Sequence, residues 1–384
     1  MPRTLESRDA RQSGKSRPPK SSLSPTAEIA NETPGQRRPF PSPPHRFYSF
    51  MPFTPSMSRL LAAVLCWTGL VVAAHAQWDL KKIHGRDYVN VDGMTKFYGF
   101  ESIRRNRNEV VLENKRVVMK LRLGAQECLM NGVKFVFSYK VEEQSGRAWI
   151  SRIDLAKLVD PVLRPNFIAN AGDFRTVIID PGHGGKDAGA TNALGTEAHY
   201  NLQVALALKN LLSQRGYKVL MTRETNRYLT LQERVDFANR VRDNAIFISI
   251  HHNSGGRAAR GLETFTLSPL GVAHYGRNLN STDFQTQAGN GHDCANVALA
   301  TAVHGAVSRR LGKNSFDRGI KRARFSVLTG VKHPSILLEC AFMSHPYEAQ
   351  LIHNEAFRRT VATGIAEAIV KYRFAVSRKS RKAP

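Results

Sequence analysis

The chain has 384 residues, 42% of them hydrophobic, which gives it enough material for a sizeable globular core and for two domains with tails. Its four cysteines form no Cys-x-x-Cys pair, which excludes a zinc ribbon and a thioredoxin-type motif, and the number left after Cys66 excludes a disulfide framework. A formal net charge of +25 favours an anionic partner such as nucleic acid, a membrane surface or an acidic wall polymer, although the excess is spread along the chain and reads equally as a solvated basic surface with basic tails.

Residues 1–56 are rich in Pro, Ser, Arg and Lys and cannot bury enough apolar area to offset their ordering entropy, so disorder is expected there. Met57, an alternative start, opens a short charged region. An apolar run from Leu60 follows, then Ala74-His75-Ala76, and the stretch 57–76 reads as a signal peptide. The run is shorter than the roughly 20 residues of a comfortable membrane span, so no stable transmembrane segment is expected once it is cleaved. An uncleaved N-terminal anchor is the alternative.

Residues 77–160 carry short runs with partial alternation: Tyr88–Val91, Glu109–Glu113, Arg116–Leu121, Val133–Phe137 and Ala148–Ile150. With brief helices at Met94–Tyr98 and Ser151–Val159, they predict a small β-rich α+β domain. It resembles, at the level of pattern, small domains beside secreted cell-wall enzymes. It carries no catalytic constellation and reads as a spacer, or as a contact for cell-wall or regulatory proteins.

Prolines punctuate a linker at 161–174, and the pattern then changes. Strands are predicted at Val177–Asp180, Tyr217–Thr222, Ala245–Ile250, Gly261–Leu267, Ser326–Leu328 and Ser335–Glu339. Helices are predicted at Glu197–Arg215, from the capping box Thr230-x-x-Glu233 to about Arg242, at Asn296–Leu311 and within Glu348–Tyr372. Residues 268–293 read as a long loop and 373–384 as a basic tail. Alternation of this kind predicts an α/β domain over 175–372, with a mostly parallel sheet flanked by helices.

His183, His251 and Glu339 each fall at, or just beyond, the carboxyl end of a predicted central strand, where ligands gather in open α/β sheets. Glu197 starts the helix that returns from the first strand and can reach the same edge. Taken alone it reads equally as a first-turn acid on a helix dipole. Two imidazoles and a carboxylate form a familiar zinc set, and a further carboxylate can carry the proton. Of His251 and His252 only one faces the site, and periodicity does not say which. Asn253 is placed to hold the site or a substrate by hydrogen bonds. Asp187, Arg223, Arg234 and Asn239 read as structural ties, and Cys340 as a buried thiol.

The segments Ile179–Ala190, Glu197 with Asn201-Leu202, Thr222-Arg223, Leu231 with Arg234 and Ala238-Asn239, Phe247–His251 with Asn253, Gly261–Thr264 and Ile336–Ser344 resemble, in order, the zinc-dependent N-acetylmuramoyl-L-alanine amidases of the type-3 amidase family. The resemblance covers about half the chain. It implies a peptidoglycan hydrolase in the periplasm or outside the cell, with Zn2+ on His183, Glu197 and His251, which selects His251 over His252. It implies Glu339 as the catalytic glutamate, taking a proton from the attacking water and giving it to the departing L-alanine amine. His252, Ala341 and His345 depart from the family's usual residues. The extra length at 268–325 is expected to line a glycan groove or to gate the site.

Three alternatives stay open on the residues: a zinc carboxypeptidase acting on the stem peptide, a non-catalytic wall-binding protein, and a nucleic-acid binder. The last has charge in its favour, but it lacks an interleaved aromatic stripe and sits badly with a signal peptide. No nucleic-acid partner is expected.

Overall fold

The computed structural model describes residues 78–169 and 171–377. The expected disordered segment 1–56, the signal peptide 57–76 with Cys66, and the end of the basic tail lie outside the described residues. Among the described residues no helix is long and apolar enough to cross a membrane. Cys128, Cys294 and Cys340 are free thiols.

The first part of the chain is built from short hairpins. Strands β1 (Leu80–Ile83) and β2 (Arg86–Asn90) precede helix α1 (Asp92–Tyr98). The strands β3 (Ser102–Arg105), β4 (Glu109–Glu113), β5 (Val118–Arg122), β6 (Glu127–Met130) and β7 (Val133–Val136) then form an antiparallel meander. Alternation makes the meander one-sided: Met119 and Leu121 are buried while Lys120 and Arg122 between and after them are exposed. Strands β8 (Glu142–Gln144) and β9 (Arg147–Ser151) complete a separate four-stranded sheet in the order β1-β2-β9-β8. Helix α2 follows in three contiguous pieces, Arg152–Asp154, Leu155–Val159 and Asp160–Leu163, with Ser151 capping its start.

The second part begins with β10 (Thr176–Pro181), buried throughout. A small hairpin, β11 (Thr191–Asn192) and β12 (Gly195–Thr196), leads into α3 (Glu197–Ser213), where the Thr196 side chain accepts from His199 N–H at the N-cap. Then come β13 (Lys218–Met221) and α4 (Leu231–Arg240), the latter opened by the expected capping box of Thr230 and Glu233. The strands β14 (Ala245–Asn253) and β15 (Leu262–Leu267) are followed by α5 (Asp293–Leu311), β16 (Asp317–Ala323), α6 (Ser326–Gly330), β17 (Ser335–Phe342), α7 (Pro346–His353) and α8 (Glu355–Val376).

One eleven-stranded sheet runs β13-β10-β14-β17-β15-β16-β7-β6-β5-β4-β3. The sheet is mixed rather than mostly parallel. The strands β13, β10, β14 and β17 are parallel, but β15 pairs antiparallel with β17, and the meander adds further antiparallel pairs. The reason for the reversal is the short connection 254–261. A parallel return needs a crossover of a dozen or more residues, so β15 starts from the edge where β14 ends and runs back. The change of pattern at 161–174 is not a break in packing. Ile320 of β16 pairs with Phe135 of β7, Asp317 accepts from Lys134 N–H at 3.0 Å, and residues of both parts share one apolar core.

The reversal of β15 also relocates the long loop. Leu267 lies at the edge of the sheet opposite to Glu339, so of the stretch 268–325 the part 268–292 leaves the sheet at the edge away from the carboxyl ends of β10, β14 and β17. A cleft of about 440 Å³ is at this far edge, between residues 126–138 and 273–278. Asp283 ties the loop down. It accepts twice from Arg277 and once from Arg324, each at 2.7 Å. The Arg277 guanidinium, helped by the Asn280 N–H and Arg324 against burial, holds this carboxyl at about 2. A depressed carboxylate contributes stability that is present at neutral pH and lost as pH falls through about 2. Asp283→Ala is therefore expected to open 268–292 to limited proteolysis at pH 7, and strong acid to do the same in the unaltered chain, with fragment masses mapping the cuts to that loop.

Candidate metal centre

β10 ends in Pro181, and Gly182 N–H still donates to Ile250 O of β14 at 3.0 Å, so His183 is delivered beside the end of that strand. His183 has φ of 60°, a left-handed conformation that is uncommon for a side chain of this size. The geometry is gripped from below. Arg234 Nη2 donates to His183 O at 2.8 Å, Arg223 Nη2 to Gly182 O at 2.8 Å, and Arg223 Nε to Pro181 O at 2.9 Å. Both arginines are buried, and both act as the structural ties expected of them.

His183 Nδ1 lies 2.9 Å from Asp187 Oδ2, and its Nε2 lies 3.2 Å from Glu197 Oε1. A carboxylate on one ring nitrogen fixes the ring and leaves the other nitrogen for a ligand. His251 Nδ1 lies 2.9 Å from the same Glu197 Oε1. Ligand atoms of His183, Glu197 and His251 all fall within 4.8 Å of one another. Burial would raise the Glu197 carboxyl, but the two imidazoles outweigh it and hold it well below the ordinary range. Ala190 N–H and Asn201 Nδ2 also donate to Glu197, at 3.0 and 3.2 Å.

β14 passes through a bulge between His251 and Asn253. His251 faces the cluster, while His252 is fully buried on the other side, with Nδ1 2.8 Å from Asn201 Oδ1. Burial lowers the His252 pKa to about 4, keeping it neutral. Asn253 donates to Glu263 Oε2 at 3.2 Å, so its amide is engaged with β15, across β17, rather than with the cluster.

Glu339 is in register with His251 on one neighbouring strand and with Glu263 on the other. Three carboxylates thus crowd this corner, and two are neutralised. Glu197 faces two imidazoles, and Glu263 accepts from Lys321 Nζ at 2.8 Å and pairs with Arg318. Glu339 has no such partner: its Oε2 is shut from solvent and makes no hydrogen bond among the described residues. Burial first, then the charges of Glu197 and Glu263, push its carboxyl well above the usual range. Cys340 points the other way, is buried, and has its thiol pKa raised by that burial.

This arrangement fits a divalent cation such as zinc. Two imidazoles and a carboxylate are zinc donors at close range, and glycines hold open the space around them. A Cβ on Gly189, at φ of 65°, would meet Glu197 Oε2 at 2.7 Å, and one on Gly182 would meet the His251 ring at 2.1 Å. Gly189→Ala is expected to weaken binding of a divalent cation such as zinc about 10–100-fold, read by competition with a chromogenic chelator. An affinity equal to that of the unaltered chain would contradict this.

Residues 177–371 match the N-acetylmuramoyl-L-alanine amidase family, Amidase_3. The chain belongs to this family. The amidase AmiC of Neisseria meningitidis serogroup B is 34% identical over 217 residues, covering 51% of this chain and 52% of AmiC. This chain thus spans about half the length of that relative. AmiA of Escherichia coli K12 is 29% identical over 53% of this chain and 77% of its own length. YqiI of Bacillus subtilis is 31% identical over 52% of this chain and 84% of its own. The catalytic domain of CwlV from Bacillus (Paenibacillus) polymyxa var. colistinus, a solved amidase structure, aligns over 52% of this chain and 97% of its own, with 31% identity and a TM-score of 0.43.

The structure thus places His183, Glu197, His251 and Glu339 in one corner, with Asn253 joined to it through Glu263. Glu263, Lys321 and Arg318 are members of that corner to which the sequence pattern assigns no role. An acid inside an otherwise uncharged strand was the available signal for Glu263.

Proposed function

We propose that this chain is an exported zinc hydrolase that cuts the amide bond between N-acetylmuramic acid and L-alanine in peptidoglycan. The observation that carries the reading is the unpartnered Glu339 carboxyl beside the His183, Glu197 and His251 cluster. The names of AmiC and AmiA, N-acetylmuramoyl-L-alanine amidases, support it.

His183, Glu197 and His251 would hold the ion. Bound there, zinc supplies a Lewis acid and a water of lowered pKa. Asp187 and Asn201 keep the His183 ring and the Glu197 carboxylate in place. Glu339 Oε2 takes a proton from the attacking water and returns it to the departing alanine nitrogen. A carboxyl whose pKa is raised holds a proton more readily than an ordinary carboxylate, which suits a group that carries one from water to amine. Lys321 and Arg318 neutralise Glu263, so that it does not add a full second charge opposite Glu339.

The test is digestion of purified peptidoglycan by the full chain, with and without a zinc chelator, followed by product mass analysis. The expected products are intact stem peptides with a free L-alanine amine, absent under chelation. Shortened stems alone would assign the chain to carboxypeptidases instead. Fractionation of intact cells checks export: the chain is expected in the envelope or medium, and retention in the cytoplasm would contradict it.

A further inference from the structure

The rim that carries the metal cluster continues past Glu339 to a second, smaller cavity of about 180 Å³. β15 and β16 both begin at this edge, and the residues just before them enclose the space together with the start of α7. Phe316 and Tyr347 stand at its sides, 55% and 49% exposed. The Tyr347 hydroxyl donates to Asn314 Oδ1 at 3.2 Å, joining the two walls. Buried Glu348 closes one side, fixed by the N–H groups of Gly261 and Phe342 at 3.0 and 2.8 Å. Ser315 Oγ, also in the lining, is buried and has no hydrogen-bond partner among the described residues. Arg260 and Lys313 form an exposed cationic lip.

Aromatic faces, a carboxylate, an amide and a hydroxyl around a space for one ring suit a sugar. The position suits a polymer. Phe342 is three residues past Glu339 on β17, about 10 Å along a strand, so a glycan with one muramoyl bond at Glu339 has a neighbouring ring here. The charge narrows the ligand further. Hydrolysis of the muramoyl amide adds water across the C–N bond, leaving a carboxylate on the lactyl group and an amine on alanine. A muramic acid that still carries its stem presents a neutral amide at that place. Arg260 and Lys313 outnumber Glu348 around the cavity and match the carboxylate.

We propose that this cavity is a subsite for a stem-free sugar ring bearing a free lactyl carboxylate, so that the chain prefers to cut beside a muramic acid already stripped of its peptide. This rests on the amidase reading above, and the experiment has separate arms for the two. Hydrolysis of a soluble single-sugar muramoyl peptide, too short to reach the cavity, tests the reaction alone. Calorimetric binding of a stem-free glycan oligosaccharide, set against a neutral chito-oligosaccharide of equal length, tests the cavity alone.

The full chain is expected to bind the acidic oligosaccharide more tightly than the neutral one. Arg260→Ala with Lys313→Ala should abolish that preference. Phe316→Ala with Tyr347→Ala should weaken both ligands about threefold to tenfold while leaving cleavage of the single-sugar peptide unchanged. Phe374→Ala removes an aromatic that is 75% exposed elsewhere and should change neither. Equal affinity of the unaltered chain for the two oligosaccharides, or binding unaffected by loss of Phe316 and Tyr347, overturns the proposal. Binding as expected without cleavage of the short peptide would sink the reaction and not the cavity.

Discussion

Glu339→Gln is expected to lower peptidoglycan hydrolysis by about 10²–10⁴-fold while zinc bound per chain stays at the level of the unaltered protein. The substitution keeps the shape of the side chain and removes its ability to hold a proton. Glu339 is in register with His251 but is not among the clustered donors, which are His183, Glu197 and His251. Its Oε2 has no partner whose loss would disturb the fold. The amide has the shape of the carboxyl it replaces and strands no hydrogen-bond partner, so thermal stability is expected to hold. Glu197→Gln is the contrast: it weakens the charge between the two imidazoles and should lose zinc together with activity. Metal analysis beside steady-state rates separates the two. A Glu339→Gln variant that keeps a tenth of the activity, or that loses its zinc, would remove Glu339 from the role assigned to it.

The parts of this site that the sequence made legible are those with local framing. His183 follows a buried strand and sits among glycines, and both features are visible in the order of residues. Glu197 was legible only in company, because a first-turn acid is ordinary on any helix. The Glu263, Lys321 and Arg318 set escaped because β16, Asp317–Ala323, has a charged composition that does not read as a buried strand. It is a strand nevertheless, with Lys321 and Arg322 buried at 4% exposure, because Glu263 pairs with Lys321 and the carbonyl of Lys157 accepts from Arg322 at 2.7 Å. Ser326–Gly330 misled in the opposite sense. Its apolar pair Val327-Leu328 reads as a strand but forms one turn of helix against the core beneath α4. The place of the loop after Leu267 depended on the direction of β15, a property of connection length rather than of the strand's own residues. Strands β1, β3 and β8 have too few apolar positions to stand out, and pairing with neighbours is what makes them strands.

Arg234→Met is expected to destabilise the folded chain by about 3–5 kcal/mol and to loosen zinc binding without touching any ligand. Arg234 is buried on α4 and donates to Asp180 Oδ1 at 2.7 Å, Pro181 O at 2.9 Å and His183 O at 2.8 Å. Asp180 is buried too. Without the guanidinium it keeps only hydroxyl donors, Thr222 Oγ1 at 2.7 Å and Ser249 Oγ at 2.9 Å. Burial alone would raise the Asp180 carboxyl, but Arg234, Thr222 and His251 outweigh it and hold it below the ordinary range. The sign follows from that depression. The pair's contribution is fully present above the unfolded carboxyl pKa and is lost as pH falls through the folded value. The gap in stability between the unaltered chain and Arg234→Met should therefore be widest near neutrality and shrink in acid, as the stranded carboxyl takes up a proton. Denaturant melts from pH 7 downward would show it. Asp180→Asn added to Arg234→Met should recover part of the loss by removing the unpaired charge, and that coupling is read from the double-mutant cycle. A gap independent of pH, with no recovery in the double variant, would mean that Arg234 matters as packing volume and not as the counter-charge that holds the His183 loop in place.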